Sequence, residues 1–170
     1  MIGGRTGCAL VLMSAILPSY ANAADAKSLG EYGAWRASSY LEAGQKVCYA
    51  SAFSDQVMGG DKGRKPTFLL VTHRPNDPGQ VSVNGPWGFK KESEVELQVG
   101  AMKNTLFTKG EFAWTKQAGA DKAIVISMLK GRDVVVRSSP VHGTAITDTI
   151  SLDGFGKALA AIDKDCGVKR

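Results

Sequence analysis

Residues 93–100 read SEVELQVG, with Val95, Leu97 and Val99 alternating against Glu94, Glu96 and Gln98. That two-residue period predicts a strand with one buried and one wet face. Further strands are predicted at AWRASSY (34–40) and KVCYASA (46–52), which are separated by the Gly-containing turn LEAGQ. TFLLVTH (67–73) is almost wholly apolar, the pattern of a strand covered on both faces. QVSVN (80–84) follows RPNDPG, a cluster of turn formers. NTLFTKGEFAWT (104–115) reads as a hairpin turning at Lys109 and Gly110. RDVVVRSS (132–139) and GTAITDTIS (143–151) complete the strands.

Two segments break this period. DKAIVISMLKG (121–131) reads as a short helix stopped by Gly131, although 124–126 would suit a strand equally. Near the end, Leu152, Phe155, Leu159, Ile162 and Cys166 recur at three- and four-residue steps, which predicts an amphipathic helix with Ser151 as N-cap and Gly167 as terminator. The expected fold class is mainly β: a single β-sandwich or barrel-like domain with a short internal helix and a C-terminal amphipathic helix. The Gly- and Lys-rich stretch SDQVMGGDKGRK (54–65) is expected to be a mobile loop.

The opening MIGGRTGCALVLMSAILPSYANAAD has a different character. Arg5 precedes an apolar run over 8–17 that is shorter than the ~20 residues a spanning helix needs. Pro18 ends the run, and ANA (21–23) offers the small residues a signal peptidase reads. Residues 1–23 are therefore expected to be a cleaved secretory signal, leaving 24–170 as one domain. Removing 23 residues from 170 leaves 147, and losing Arg5 takes the net charge from +5 to +4. No later apolar stretch would span a bilayer. The mature chain is expected to be periplasmic, outer-membrane associated or secreted, with at most peripheral membrane contact, and monomeric.

Export changes the meaning of the cysteines. Cys8 leaves with the signal, and Cys48 and Cys166 allow a single pairing in an oxidising compartment. Such a bridge would tie the last helix to an early strand and act as a staple. Two buried free thiols are the alternative.

The search for catalytic chemistry returns little. His73 and His142 are far apart in sequence, and no Cys or acidic cluster has metal-ligand spacing. No G-x-S-x-G elbow occurs. GFGKAL (154–159) lacks the third glycine of a dinucleotide fingerprint, and GGDKGRKPT lacks the order of a phosphate loop. Glu92, Glu94 and Glu96 read as a solvated strand face. No catalytic, cofactor-binding or metal-binding residue is expected. The basic clusters Lys62, Arg64 and Lys65, and Lys90 with Lys91, are the expected partner contacts, together with Trp87 in NGPWGF. Export argues against nucleic acid and favours an envelope or surface protein, or an anionic lipid or glycan. Of Trp35, Trp87 and Trp114, at least two are expected to be buried.

In order along the chain, YGAWRA, KVCYASA, FLLVTHRP, FKKESEVEL, LFTKGEFAWT, VVVRSS and GTAITDTISLDGFGKALAAIDKDCG resemble the invasion-associated locus B family of exported bacterial proteins. The resemblance spans residues 32–168. It implies a single β-rich envelope-associated domain without known enzymatic residues, and it supports the Cys48–Cys166 pairing as far as both cysteines match. The expected function is a non-enzymatic envelope interaction protein, with a contribution to host-cell association as one form of that role. The alternatives are a glycan- or small-molecule-binding module and a hydrolase whose site is not visible in sequence.

Overall fold

A computed structural model describes residues 26–117 and 119–170. The signal segment 1–23 lies outside the described residues. The elements in chain order are β1 (Lys27–Tyr32), β2 (Trp35–Glu42), β3 (Gln45–Phe53), β4 (Gln56–Met58), β5 (Phe68–Arg74), β6 (Asp77–Asn84), β7 (Glu94–Val99), β8 (Met102–Lys109), β9 (Phe112–Thr115), α1 (Ala120–Lys130), β10 (Asp133–Ser138), β11 (Ile146–Ser151) and α2 (Phe155–Cys166). The protein is mainly β, and the internal helix and the C-terminal helix stand where the hydrophobic periods predict them.

All strands join one antiparallel sheet in the order β1-β2-β3-β5-β6-β9-β8-β7-β10-β11-β4. The sheet is not closed, since β1 and β4 are its edges. It is strongly curved, because β4 continues β3 after a two-residue step at Ser54 and Asp55. At that step the Ser54 N–H donates to Thr67 O (2.8 Å) and the Asp55 N–H to Thr149 O (3.0 Å). One stretch of chain thus touches both β5 and β11.

The concave face holds the core. Trp35, Leu69, Val71, Val83, Leu97, Leu106, Val136 and Ile150 are fully buried there with Phe155, Leu159 and Ile162 of α2 and Ile124 and Met128 of α1. α2 lies against β1, β2 and β3, and α1 against β6. The Trp35 ring packs 4.7 Å from that of Phe155, and its Nε1–H donates to Ser151 O at 2.9 Å. The Ala34 N–H also donates to Asp153 O (3.1 Å), so the β1–β2 turn is pinned to the start of α2. Gly154 is required at this crossing. It has φ 85, and a Cβ there would stand 1.8 Å from Tyr32 O.

Cys48 and Cys166 form a disulfide joining β3 to the end of α2 across a sequence separation of 118. Gly167 terminates the helix in the left-handed conformation, with its N–H on Asp163 O.

Four local expectations change. Ser151 is the last residue of β11 rather than the cap of α2; Gly154 takes the N-cap position without a side-chain bond. β5 is fully covered on one face and partly on the other: Leu69, Val71 and His73 are buried, while on the other face Thr72 is buried and Phe68 and Leu70 are half-buried. The stretch 54–65 contains β4, which pairs with β11 through Met58↔Thr147, Val57↔Asp148 and Gln56↔Thr149. Of the tryptophans, only Trp35 is fully buried; Trp87 and Trp114 are intermediate.

Candidate interaction site

Three loops meet at one end of the sheet: 59–66, 85–93 and 139–145. Main-chain bonds join them. The Gly60 N–H donates to Thr144 O (3.2 Å), Val141 N–H to Gly88 O (3.1 Å), Lys90 N–H to Ser139 O (2.9 Å) and Phe89 N–H to Gly110 O (3.0 Å). Gly59, at φ 77, allows the approach of the first and third loops, since a Cβ there would lie 1.9 Å from Ala145 O.

Inside this end sits a buried ion pair. In β11, Ile146, Asp148 and Ile150 all face the core, so Asp148 is an inward carboxylate with no exposed surface. Both of its oxygens accept from the Arg64 guanidinium, and Oδ2 also accepts from Thr67 Oγ1. The Arg64 Nε–H donates in addition to Gly59 O at 3.1 Å. The same guanidinium lies 5.8 Å from the centroid of the Trp87 ring, which packs at 5.0 Å from Phe89. A bidentate pair of this kind needs the planar fork of arginine. It fixes the 59–66 loop, which was expected to be mobile.

The predicted contact residues divide accordingly. Lys62, Lys65, Lys90 and Lys91 are exposed and gathered at this end although they come from two separate loops. Arg64 is not a surface cation, because its side chain is only 4% exposed and its fork is occupied by Asp148. Trp87 sits beneath the loops with its indole N–H buried, so it is a support rather than an open platform. Sequence reading missed Lys109, which joins Lys90, Lys91 and Glu92 around a depression of about 590 Å³ also lined by Phe89 and Val141. Its position is set by the β8–β9 turn, which no local pattern relates to NGPWGFKK. Val141, 51% exposed, stands beside these lysines.

The histidines lie at opposite ends. His142 is exposed in the 139–145 loop. His73 is buried at the far end of β5, with Nε2 2.7 Å from Asp163 Oδ1, and Asp163 also accepts from Arg170 Nε–H at 2.8 Å. Burial lowers the His73 pKa below its usual value, against the opposing pull of the Asp163 carboxylate. A cavity of about 560 Å³ beside His73 is lined by Lys46, Asp165, Cys166 and Lys169 but by no serine. The glutamates of the wet face are spent in surface pairs, Glu94 with Lys116 and Glu96 with Lys103 and Arg137. Those two cations hold the Glu96 carboxyl below its usual range. Among the described residues no group of His, Cys, Asp or Glu is placed to hold a metal. No described helix is long and apolar enough to cross a membrane.

A curved antiparallel sheet, backed by two helices, clasped by one disulfide and carrying lysines on one loop end, defines a compact β-domain with a prepared surface. The family model for the Invasion associated locus B (IalB) protein matches residues 35–163, and the chain belongs to that family. Among solved structures, invasion associated protein B from Bartonella henselae is similar, with 19% identity and a TM-score of 0.58 over 80% of this chain and 97% of that one. This likeness is one of fold. A comparison with curated proteins gave no match.

Proposed function

We propose that this chain is an exported, non-enzymatic interaction module of the bacterial cell envelope, which meets its partner through the loop end bearing Lys62, Lys65, Lys90 and Lys91. The observation that carries this reading is the convergence of two distant lysine loops on one end, tied together by main-chain bonds, with exposed Val141 beside Lys90 and Lys91. A preorganised cationic surface with an exposed apolar residue beside it suits an anionic envelope protein, lipid headgroup or glycan. The signal pattern over 1–23 supports export, and so does a disulfide that an oxidising compartment would preserve. Because the similar solved structure is an invasion associated protein B, a contribution to host-cell association forms part of this reading.

The test is in-cell crosslinking through the tagged mature domain, comparing the natural chain with one carrying Lys62→Glu, Lys65→Glu, Lys90→Glu and Lys91→Glu. Capture of an envelope component that the four reversals abolish supports the proposal. Equal capture by both chains removes the loop end from the contact.

A further inference from the structure

We infer a second binding site on the opposite, convex face of the sheet: a groove for an uncharged saccharide. The cross-strand register builds it. Tyr49 stands opposite Thr72, Leu70 opposite Ser82, and Ser82 opposite Trp114, which faces Phe107 on the next strand. Residues directly opposite share a face, so this row runs outward across β3, β5, β6, β9 and β8. The helices cover the other face, and nothing in the described chain covers this one.

The groove holds about 460 Å³. One wall is aromatic and flat: the rings of Phe112 and Trp114 are stacked, 17° from parallel with centroids 5.6 Å apart. Tyr40 and Tyr49 form the other wall, edge to face at 6.0 Å. A contiguous outward patch of this kind marks a recognition surface more often than scattered apolar residues do.

The polar lining selects among ligands. Arg74 is the one charged residue lining the groove, and it is neutralised by Glu42 (Nε to Oε2, 3.3 Å). Its Nη1 donates to Gln80 Oε1 at 3.2 Å, and Gln80 Nε2 donates in turn to Asp77. Thr72 and Ser82, both nearly buried, lie in the lining beneath them. The lysines of the loop end are absent from this lining, so the groove offers an anion no unpaired cation. A pyranose ring has an apolar C–H face and a rim of hydroxyls that both donate and accept. Aromatic walls meet the first, and planar amide and guanidinium groups with hydroxyls meet the second. The site shares no residue with the loop end, so either proposal can fail alone.

The test uses chitotriose, maltotriose and cellotriose as probes, with a sulfated trisaccharide for comparison, followed by amide shifts of the isotope-labelled mature domain. Expected is a saturable shift confined to β2, β3, β5, β6 and β9 with at least one neutral probe. Trp114→Ala and Tyr49→Ala should each weaken it about tenfold. Trp87→Phe should leave it unchanged, and Gln80→Leu gives a second weakened variant should Trp114→Ala not fold. The proposal is overturned by absence of saturation with all three neutral probes, by preference for the sulfated one, or by shifts outside these strands. Concentration-dependent self-association abolished by Trp114→Ala would overturn it too, by showing a second copy of the chain as the occupant.

Discussion

Arg64 and Asp148, 84 residues apart in sequence, form an ion pair whose side chains are 4% and 0% exposed. Removing one member strands the other charge out of water, which costs about 3–5 kcal/mol. Asp148→Ala and Arg64→Ala should each lower the urea midpoint by that measure. Arg64→Lys should fail to restore it, since an ammonium cannot serve both carboxylate oxygens and the Gly59 carbonyl together. Hydrogen exchange at the Gly60 amide should quicken in the same variants. Full stability in Arg64→Lys would show that charge alone, not the fork, holds this end.

The Cys48–Cys166 bond closes most of the domain. Chain-entropy reasoning assigns a loop of that size about 4–5 kcal/mol. Cys48→Ser with Cys166→Ser should lose stability of that order in denaturant unfolding under oxidising conditions. Under reducing conditions the natural chain and the double variant should unfold at similar midpoints.

His73 makes stability depend on pH. Burial lowers its folded pKa below the unfolded value of about 6.5. The unfolded chain therefore binds more protons in the interval beneath 6.5, and stability rises with pH there. The His73 contribution is whole above about pH 6.5 and declines as the pH falls toward the folded pKa. The urea midpoint should drop between pH 7.5 and 5.5, and His73→Phe should flatten that slope. An unchanged slope in the variant would assign the dependence to other groups.

The β2–β3 hairpin turns on Ala43 and Gly44, both with positive φ (49 and 80). Such a turn favours Asn-Gly, and a non-glycine in the left-handed region costs about 1 kcal/mol or more. Ala43→Asn should raise the thermal midpoint by a corresponding amount, with no effect on the remote loop end.

Much of the fold is legible because it is local. The alternation in β7 and the helical stripe of α2 each state their buried face directly. β1 and β4 are not, for different reasons. Gly30 introduces a register shift in β1, which breaks its alternation. β4 has three exposed residues in a Gly-rich stretch and becomes a strand only through β11. The site is legible in its lysines but not in its framework. Arg64 reads as one more surface cation because its partner is distant. The usable signal was on the other side: an Asp at an inward position between Ile146 and Ile150 demands a buried cation. The same logic places His73 inside, since it shares a face with Leu69 and Val71. The outer aromatic row escaped notice because its members are single residues on separate strands, united only by register.

The step from β3 to β4 also bears on how the chain reaches its native state. Val57 must wait for Asp148, ninety-one positions later, before its ladder can form. Pairings of such long range are slow, since loop closure precedes any reward from contact. Until then β11 keeps one edge open, in a chain whose convex face is already aromatic. Refolding should therefore be slow, and during that delay the unpaired β11 edge is open to aggregation or to a holding chaperone.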